Sequence, residues 1–445
     1  MLFRSGGRFR TRSHIMGDVV NSGVRYVGVP SFRAALGEGY SQFAADNANR
    51  TAAVYVGAND GMLHAFNAKT GEELFAYIPS WMGPKLSALT STNYTQYTHQ
   101  SYVDATSATG HAKTGRGTTK DDWKTVLVSG TGGGGKGVFA LDITKPDAFD
   151  ADKVLWEFTH VNDADMGYVI GKPRVVKMQV KHKNTTASPP VARDEYRWFA
   201  LVPAGANNYV DIGDGIYSKT GNPTLFFLAL DKPANEAWEL GKNYYKVSLP
   251  FDKTLTQSGG SGVVRPTGII SLESYSANAR NTIDVVYAGD LHGNVWGLKF
   301  TGVDADKWTA GKLSRFNKEE KDAHLMFVVK DSSGVIQPIT SAPTILRSGS
   351  SNAYLVGFGT GKYIEETDRA NTQPNTYYVL YDNGRGDMTS GTPNAQWPVG
   401  VAGRGRLEPV VMVGGNLAPQ NRNFRFGRPT SDMIEIGRAS CRERV

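Results

Sequence analysis

Few residues of this chain are spaced for chemistry. Asn207-Asn-Tyr-Val-Asp-Ile-Gly-Asp-Gly215 gathers four oxygen-bearing side chains, Asn207, Asn208, Asp211 and Asp214. Such oxygens are the hard donors that a calcium ion takes. Their spacing lacks the regular alternation and the terminal glutamate of a helix-loop-helix calcium site, so a turn whose Asx side chains bond their own backbone is the preferred reading. Gly130-Thr-Gly-Gly-Gly-Gly-Lys-Gly137 has the composition of a phosphate loop without its order. Gly137 and Val138 follow Lys136 where a serine or threonine opening a helix is required, so a flexible hairpin linker is expected. Arg385-Gly386-Asp387 is the tripeptide that integrins recognise, set in the polar run Tyr381 to Gly391. Such a loop could hold guanidinium and carboxylate at opposite ends; a solvated surface turn is the competing reading.

Catalytic groups are scarce. There is no His-Glu-x-x-His and no nucleophile elbow. His64 and His292 read as equivalent positions beside two turns, which points to structure, and His182 lies in a charged loop. Cys441 is the one cysteine, and alone it makes neither a disulfide nor a zinc–thiolate site. The formal net charge of +7 is scattered, so a solvated basic surface is expected and nucleic acid is not. No run of about 18 apolar residues predicts a transmembrane helix.

What must position these residues is a repeat. Ala53-Val-Tyr-Val-Gly-Ala-Asn-Asp-Gly-Met-Leu-His-Ala-Phe-Asn67 reads as strand, Asn-Asp-Gly turn, strand. Leu74 to Ile78 supplies a further strand. Related pairs run from Thr125 to Asp142, Trp198 to Asp231, Ile283 to Leu298 and Ala353 to Tyr381. Val19 to Val29 reads as one more strand pair. Trp156 and Trp238 are expected to end outer strands and fill gaps between repeats. Ser87 to Lys120 and Lys181 to Arg193 read as loops, and Thr301 to Lys321 as a segment with room for a short helix. With 51 glycines, 20 tyrosines and 19 phenylalanines, the composition suits short strands and tight turns. The expected fold is an all-β propeller with irregular blades and long insertions, about seven blades when complete.

Residues 1–434 are expected to form that domain. Glu435-Ile-Gly-Arg-Ala-Ser-Cys-Arg-Glu-Arg-Val445 has the look of translated sequencing adapter, Cys441 included. The opening Met1-Leu-Phe-Arg-Ser-Gly-Gly-Arg has no apolar h-region, and the chain is expected to be a piece of a longer protein.

Met16-Gly-Asp-Val-Val-Asn-Ser-Gly-Val-Arg-Tyr-Val-Gly28 resembles the Gly-Asp-Ile-x-Asn-Ser segment of the PilY/PilC family. Val54 to Phe66, His99 to Asp104, Trp123 to Val128, Gly137 to Asp142, Met166 to Pro173 and Val286 to Trp296 resemble further family segments, in family order. The resemblance implies an exported factor at the type IV pilus tip or outer membrane. It would prime assembly with pilins and minor pilins, oppose retraction and attach to surfaces or host receptors such as integrins. It also implies a calcium loop just before the Val-Tyr-Ala-Gly-Asp strand. The matching positions are Ser276, Asn278, Arg280 and Asp284. Asn278 and Asp284 keep oxygen ligands, whereas Ser276 is a poor donor and Arg280 a cation, so a solvated turn with weak or absent calcium binding is expected. The alternative is a quinone-dependent propeller dehydrogenase, which Ala65 to Phe75 resembles in one copy only. A binding module and not an enzyme is the preferred reading.

Overall fold

The repeats become five sheets, four antiparallel and the fifth mixed, among the described residues of a computed structural model. It describes residues 9–12, 14–31, 36–94, 98–186, 189–250, 267–316, 325–331, 333–347, 353–382, 408–413, 416–419 and 433–439. Blade 1 holds β1 (Arg25–Val27), β2 (Ala53–Gly57), β3 (Leu63–Asn67) and β4 (Glu73–Tyr77). Blade 2 holds β5 (Ala108–Lys113), β6 (Trp123–Gly130), β7 (Gly137–Asp142) and β8 (Val154–Thr159). Blade 3 holds β9 (Arg174–Lys181), β10 (Glu195–Ala204), β11 (Thr224–Ala229) and β12 (Tyr244–Ser248). Blade 4 holds β13 (Ile269–Tyr275), β14 (Val285–Asp290), β15 (Asn294–Lys299) and β16 (Phe327–Val328). In these four the spatial order of strands is the chain order.

Blade 5 opens with β17 (Thr344–Arg347), β18 (Tyr354–Gly359) and β19 (Asn375–Asp382). It continues through β20 (Glu408–Val413), β21 (Asn416–Pro419) and β22 (Met433–Ala439). The backbone of β22 runs antiparallel to β19 and parallel to β20, so the expected boundary at residue 434 falls inside a strand.

The core lies between sheets rather than within one. β11 shows why: Phe226 and Leu228 join the layer toward blade 2, while Leu225 and Phe227 join the layer toward blade 4. A middle strand buried on both faces needs no polar alternation, so it appears in sequence as a continuous apolar run. Trp156 and Trp238 meet edge to face at 5.3 Å in the layer between blades 2 and 3. Trp156 sits in β8, but Trp238 lies ahead of β12, where its Nε1 donates to the Glu157 carbonyl at 2.8 Å.

The segments leading into each first strand stitch the blades together. Each binds the β-turn region of its own blade: Asn59 N donates to Asp18 O, Asp104 N to Thr131 O, Gly205 N to Met166 O, Leu291 N to Gly268 O and Gly361 N to Pro338 O. Each from blade 2 onward also binds the blade before it. Val103 N donates to Ala58 O, Gly132 N to Val169 O, Asn207 N to Thr267 O and Ile339 N to Asp290 O. The approach is so close that β2 and β6 end in glycine. A Cβ on Gly57 would lie 2.3 Å from Val103 O, and one on Gly130 2.5 Å from Val169 O.

Several expectations change. The strands taken to open the repeats are second in their sheets, and β5, β9, β13 and β17 precede them. Val19 to Val29 is no extra strand pair but contains β1 of blade 1. The Ser87 to Lys120 loop holds the end of a 3-10 segment, Ser80–Thr90, and all of β5. Thr301 to Lys321 does hold the short helix α1 (Ala310–Leu313).

Gly57→Ala should therefore lower the unfolding free energy by about 3 kcal/mol, because the new Cβ meets backbone that cannot turn away. Gly71 has a φ of 77° with nothing within 4 Å of a Cβ, so Gly71→Ala should cost only about 1 kcal/mol. Denaturant melts of the two variants giving equal losses would refute the close-approach account.

Candidate functional site

The Gly-Asp-x-x-Asn-Ser segment forms a polar clasp over blades 1 and 2. Gly17 N donates to Asp60 at 2.6 Å, and Asn59 Nδ2 to Asp18 at 3.0 Å. Asn21 donates to Asp104 twice, from N at 2.8 Å and from Nδ2 at 2.7 Å. Ser22 Oγ accepts from Gly57 N at 2.8 Å, and Asn59 Oδ1 accepts from Tyr102 N at 3.0 Å. Each polar residue of the segment thus satisfies a backbone or side-chain partner at the blade 1–2 seam. A buried carboxylate or amide without such partners would be costly.

His64 sits between two carboxylates, Nδ1 at 2.6 Å from Glu73 and Nε2 at 3.1 Å from Asp60. Burial pushes its pKa down, but the hydrogen bonds to Asp60 and Glu73 outweigh burial and hold it above 6.5. Burial likewise pushes Asp60 up, and the His64 and backbone bonds bring it below its ordinary value. The supposed equivalence of His64 and His292 fails. Val56 pairs with His64 and Ala288 with Trp296, so Trp296 takes the place of His64 and His292 falls in the turn, level with Asp60. That turn is built on Asp290, fully buried, which accepts from His292 N, Asn294 N and Asn294 Nδ2, each at 2.9 Å. Burial pushes its carboxyl up to about 6.

A buried ion pair ties blade 4 to blade 5. Asp382 accepts from Arg315 Nη2 at 3.0 Å, from Arg315 Nε and from the Tyr287 hydroxyl. Sequence reasoning missed it because Arg315 lies in a loop and Asp382 closes β19, with nothing in spacing to join them.

The acidic loop closes on itself. Asp211 accepts from Gly213 N at 2.8 Å and Gly215 N at 3.0 Å, and Asp214 from Ile216 N at 3.0 Å. Asp214 also meets His160 Nε2 at 2.5 Å. Asn208 is buried and donates to the carbonyls of Asp165 and Asn222, while Asn207 holds a φ of 51°. Lys136 reaches over from the glycine run, donating to Val210 O at 2.5 Å. The run is no flexible linker. A Cβ on Gly134 would lie 1.7 Å from Tyr102 O, so packing fixes it.

The loop from Ser276 to Asp284 joins β13 to β14. Asn278 organises it: Oδ1 accepts from Arg280 N at 3.0 Å and Thr282 N at 3.2 Å. Its Nδ2 donates to Asp284 at 2.8 Å and Thr282 O at 2.9 Å. Asp284 accepts further from Ala277 N at 2.7 Å and Thr301 Oγ1 at 3.0 Å. Arg280 does not enter the loop; it turns toward Asp194 at 3.6 Å and the Tyr196 ring. His182 bonds Asp304 at 2.7 Å across blades 3 and 4. Among the described residues, no group of three or more His, Cys, Asp or Glu could hold a metal, and no helix is long and apolar enough to cross a membrane. Arg385, Gly386, Asp387 and Cys441 lie outside the described residues.

The clasp residues and the strand pairs behind them fall in one continuous match, residues 16–400, to the PilY1 beta-propeller domain. The chain belongs to the PilY1 family. It is 31% identical over 405 residues to the type IV pilus biogenesis factor PilY1 of Pseudomonas aeruginosa (strain UCBPP-PA14), covering 86% of this chain and 31% of that one. It is 32% identical over 437 residues to a PilY1 homolog of Xylella fastidiosa, covering 97% of this chain and 28% of that one. The chain therefore spans about a third of the length of these relatives. The crystal structure of the Pseudomonas aeruginosa PilY1 C-terminal domain matches with a TM-score of 0.54 and 26% identity, over 84% of this chain and 68% of that one. These relatives are named as biogenesis factors and not as enzymes.

The His64 cluster has a pH signature. A histidine held above its ordinary 6.5 stabilises the fold fully below that value and loses the contribution as pH rises through the raised pKa. The stability gap between wild type and His64→Gln should be widest near pH 6 and shrink as pH rises through the raised pKa, each unit of upward shift being worth about 1.4 kcal/mol. Melting curves that show a gap independent of pH would mean that His64 stays neutral.

Proposed function

We propose that this domain is the binding scaffold of a type IV pilus biogenesis factor, acting outside the cell at the pilus tip or outer membrane. Its partners would be pilins and minor pilins, with host receptors such as integrins engaged through Arg385-Gly386-Asp387. Assembly would be primed, retraction opposed and surface attachment mediated by binding alone, without catalysis. The observation that carries this reading is the family match over residues 16–400, which takes in the clasp, four four-stranded blades and the opening strands of the fifth. The stitched architecture supports it physically, since blades fixed to both neighbours present their loops on a rigid frame. Immobilised domain should retain major or minor pilin from sheared pili, and integrin from solubilised host membranes. Retention of neither would sink the proposal.

The Ser276 to Asp284 loop belongs to the same reading as a weak calcium site or none. Asn278 places an amide donor against Asp284, where a cation would have to sit. Displacing that donor and two others costs hydrogen bonds that the ion must replace. Calorimetric titration of the domain with calcium should show no site at this loop tighter than about 10 µM. Tighter binding that Asp284→Ala abolishes would show that the loop reopens for the ion.

A further inference from the structure

A cavity of about 200 Å3 opens beside the clasp of blade 1, lined by Arg10, Arg12, Asp18, Leu89, Tyr94 and His99 among others. We propose that it binds a carboxylate from an acidic segment of a partner protein. The proposal does not depend on the pilus reading.

The charges in the cavity are unevenly matched. Asp18 is already engaged: His99 Nε2 lies 2.9 Å away, and Asn59 Nδ2 donates to it at 3.0 Å. Among the described residues neither Arg10 nor Arg12 lies within 4.0 Å of a carboxylate. Arg12 donates through Nη2 to Ile15 O at 2.7 Å. Arg10 is held in place twice, by its own N–H on Thr90 O at 2.9 Å and by its guanidinium 4.5 Å from the centre of the Tyr94 ring. Its Nε is buried and has no hydrogen-bond partner among the described residues. A guanidinium stacked and held in place at the wall of a cavity is the geometry that recognises a planar anion.

Size and surroundings narrow the ligand. The cavity is smaller than the roughly 300–1,000 Å3 of pockets for drug-sized ligands, so it takes one acidic group and not a cofactor. The Asp18 carboxylate disfavours a dianion such as phosphate more than a singly charged carboxylate. Leu89 offers an apolar wall for the methylenes of a glutamate side chain. Ile15, 94% exposed on the same segment, gives an apolar rim for a neighbouring residue of a bound peptide. The formal net charge of +7 favours encounter with acidic partners.

The probes are a capped hexapeptide alternating glutamate and leucine, the same peptide with glutamine for glutamate, and inorganic phosphate. Each is titrated calorimetrically into the chain. The glutamate peptide should bind and the glutamine peptide should bind at least about tenfold more weakly, the expected loss of a charge-assisted pair. Arg10→Gln should weaken the glutamate peptide by a similar factor, and Arg10→Lys should recover only part of it, because the flat fork is gone. Lys219→Gln, on blade 3, should change nothing. If Arg10→Gln alters the melting curve, the exposed Arg12→Gln takes its place and should weaken the peptide about threefold. Equal binding of the two peptides, or indifference to both arginine substitutions, overturns the proposal. Arg10-dependent phosphate binding without peptide binding overturns it too, by making the cavity a site for a free anion.

Discussion

The close approach of each lead-in segment to the end of the preceding blade's second strand sets the terms for the rest of this fold. At Gly57 and Gly130 the neighbouring backbone lies where a Cβ would be. The neighbouring backbone can close in there because the strand ends in glycine, and at four interfaces the lead-in shares a backbone hydrogen bond with the blade before it. The same contact fixes the spacing at which the apolar layers meet. Blade 3 ends its second strand at Ala204, and there the tight contact moves along to Gly268, whose Cβ would lie 2.5 Å from Ala206 Cα. The requirement is for room at that place and not for a glycine in a fixed register.

What the sequence revealed follows burial. β6, β7, β11 and β14 are buried on both faces, so their apolar runs stand out and the repeat is legible. The first strands do not stand out. β5 reads Ala-Thr-Gly-His-Ala-Lys, with Gly110 against Val175 and His111 among Tyr40 and Phe43, a pattern that no periodicity template selects. The family segment at Gly17 to Ser22 was recognisable as a pattern, but its role as a clasp was not. Its partners Asp60 and Asp104 are more than 40 residues away. The mistaken pairing of His64 with His292 has a similar source. Similar turns suggested equivalence, whereas strand register places Trp296 opposite Ala288 where His64 stands opposite Val56.

The turns of this protein are held largely by their own side chains. Asn278, Asp290 and Asp211 each collect donors from the backbone of the loop they occupy. A loop closed in this way keeps its shape without an ion, which separates its geometry from the metal chemistry that its oxygen content suggests. Asp382 differs, since its partners come from another blade. Buried charge there ties neighbours together, and removing either partner would strand the other.

The stitching also has a mechanical meaning. Chain order and spatial order coincide through four blades, and each lead-in from blade 2 onward is bonded to two sheets at once. A pull along the chain therefore meets the blades in series. Freeing one requires shearing its two lead-in bonds and separating an apolar layer before the load reaches the next. Resistance to such a pull depends on the rate of the weakest rupture and not on total stability. An assembly of nearest-neighbour units spreads extension over many small steps, the behaviour of a shock absorber rather than a single latch.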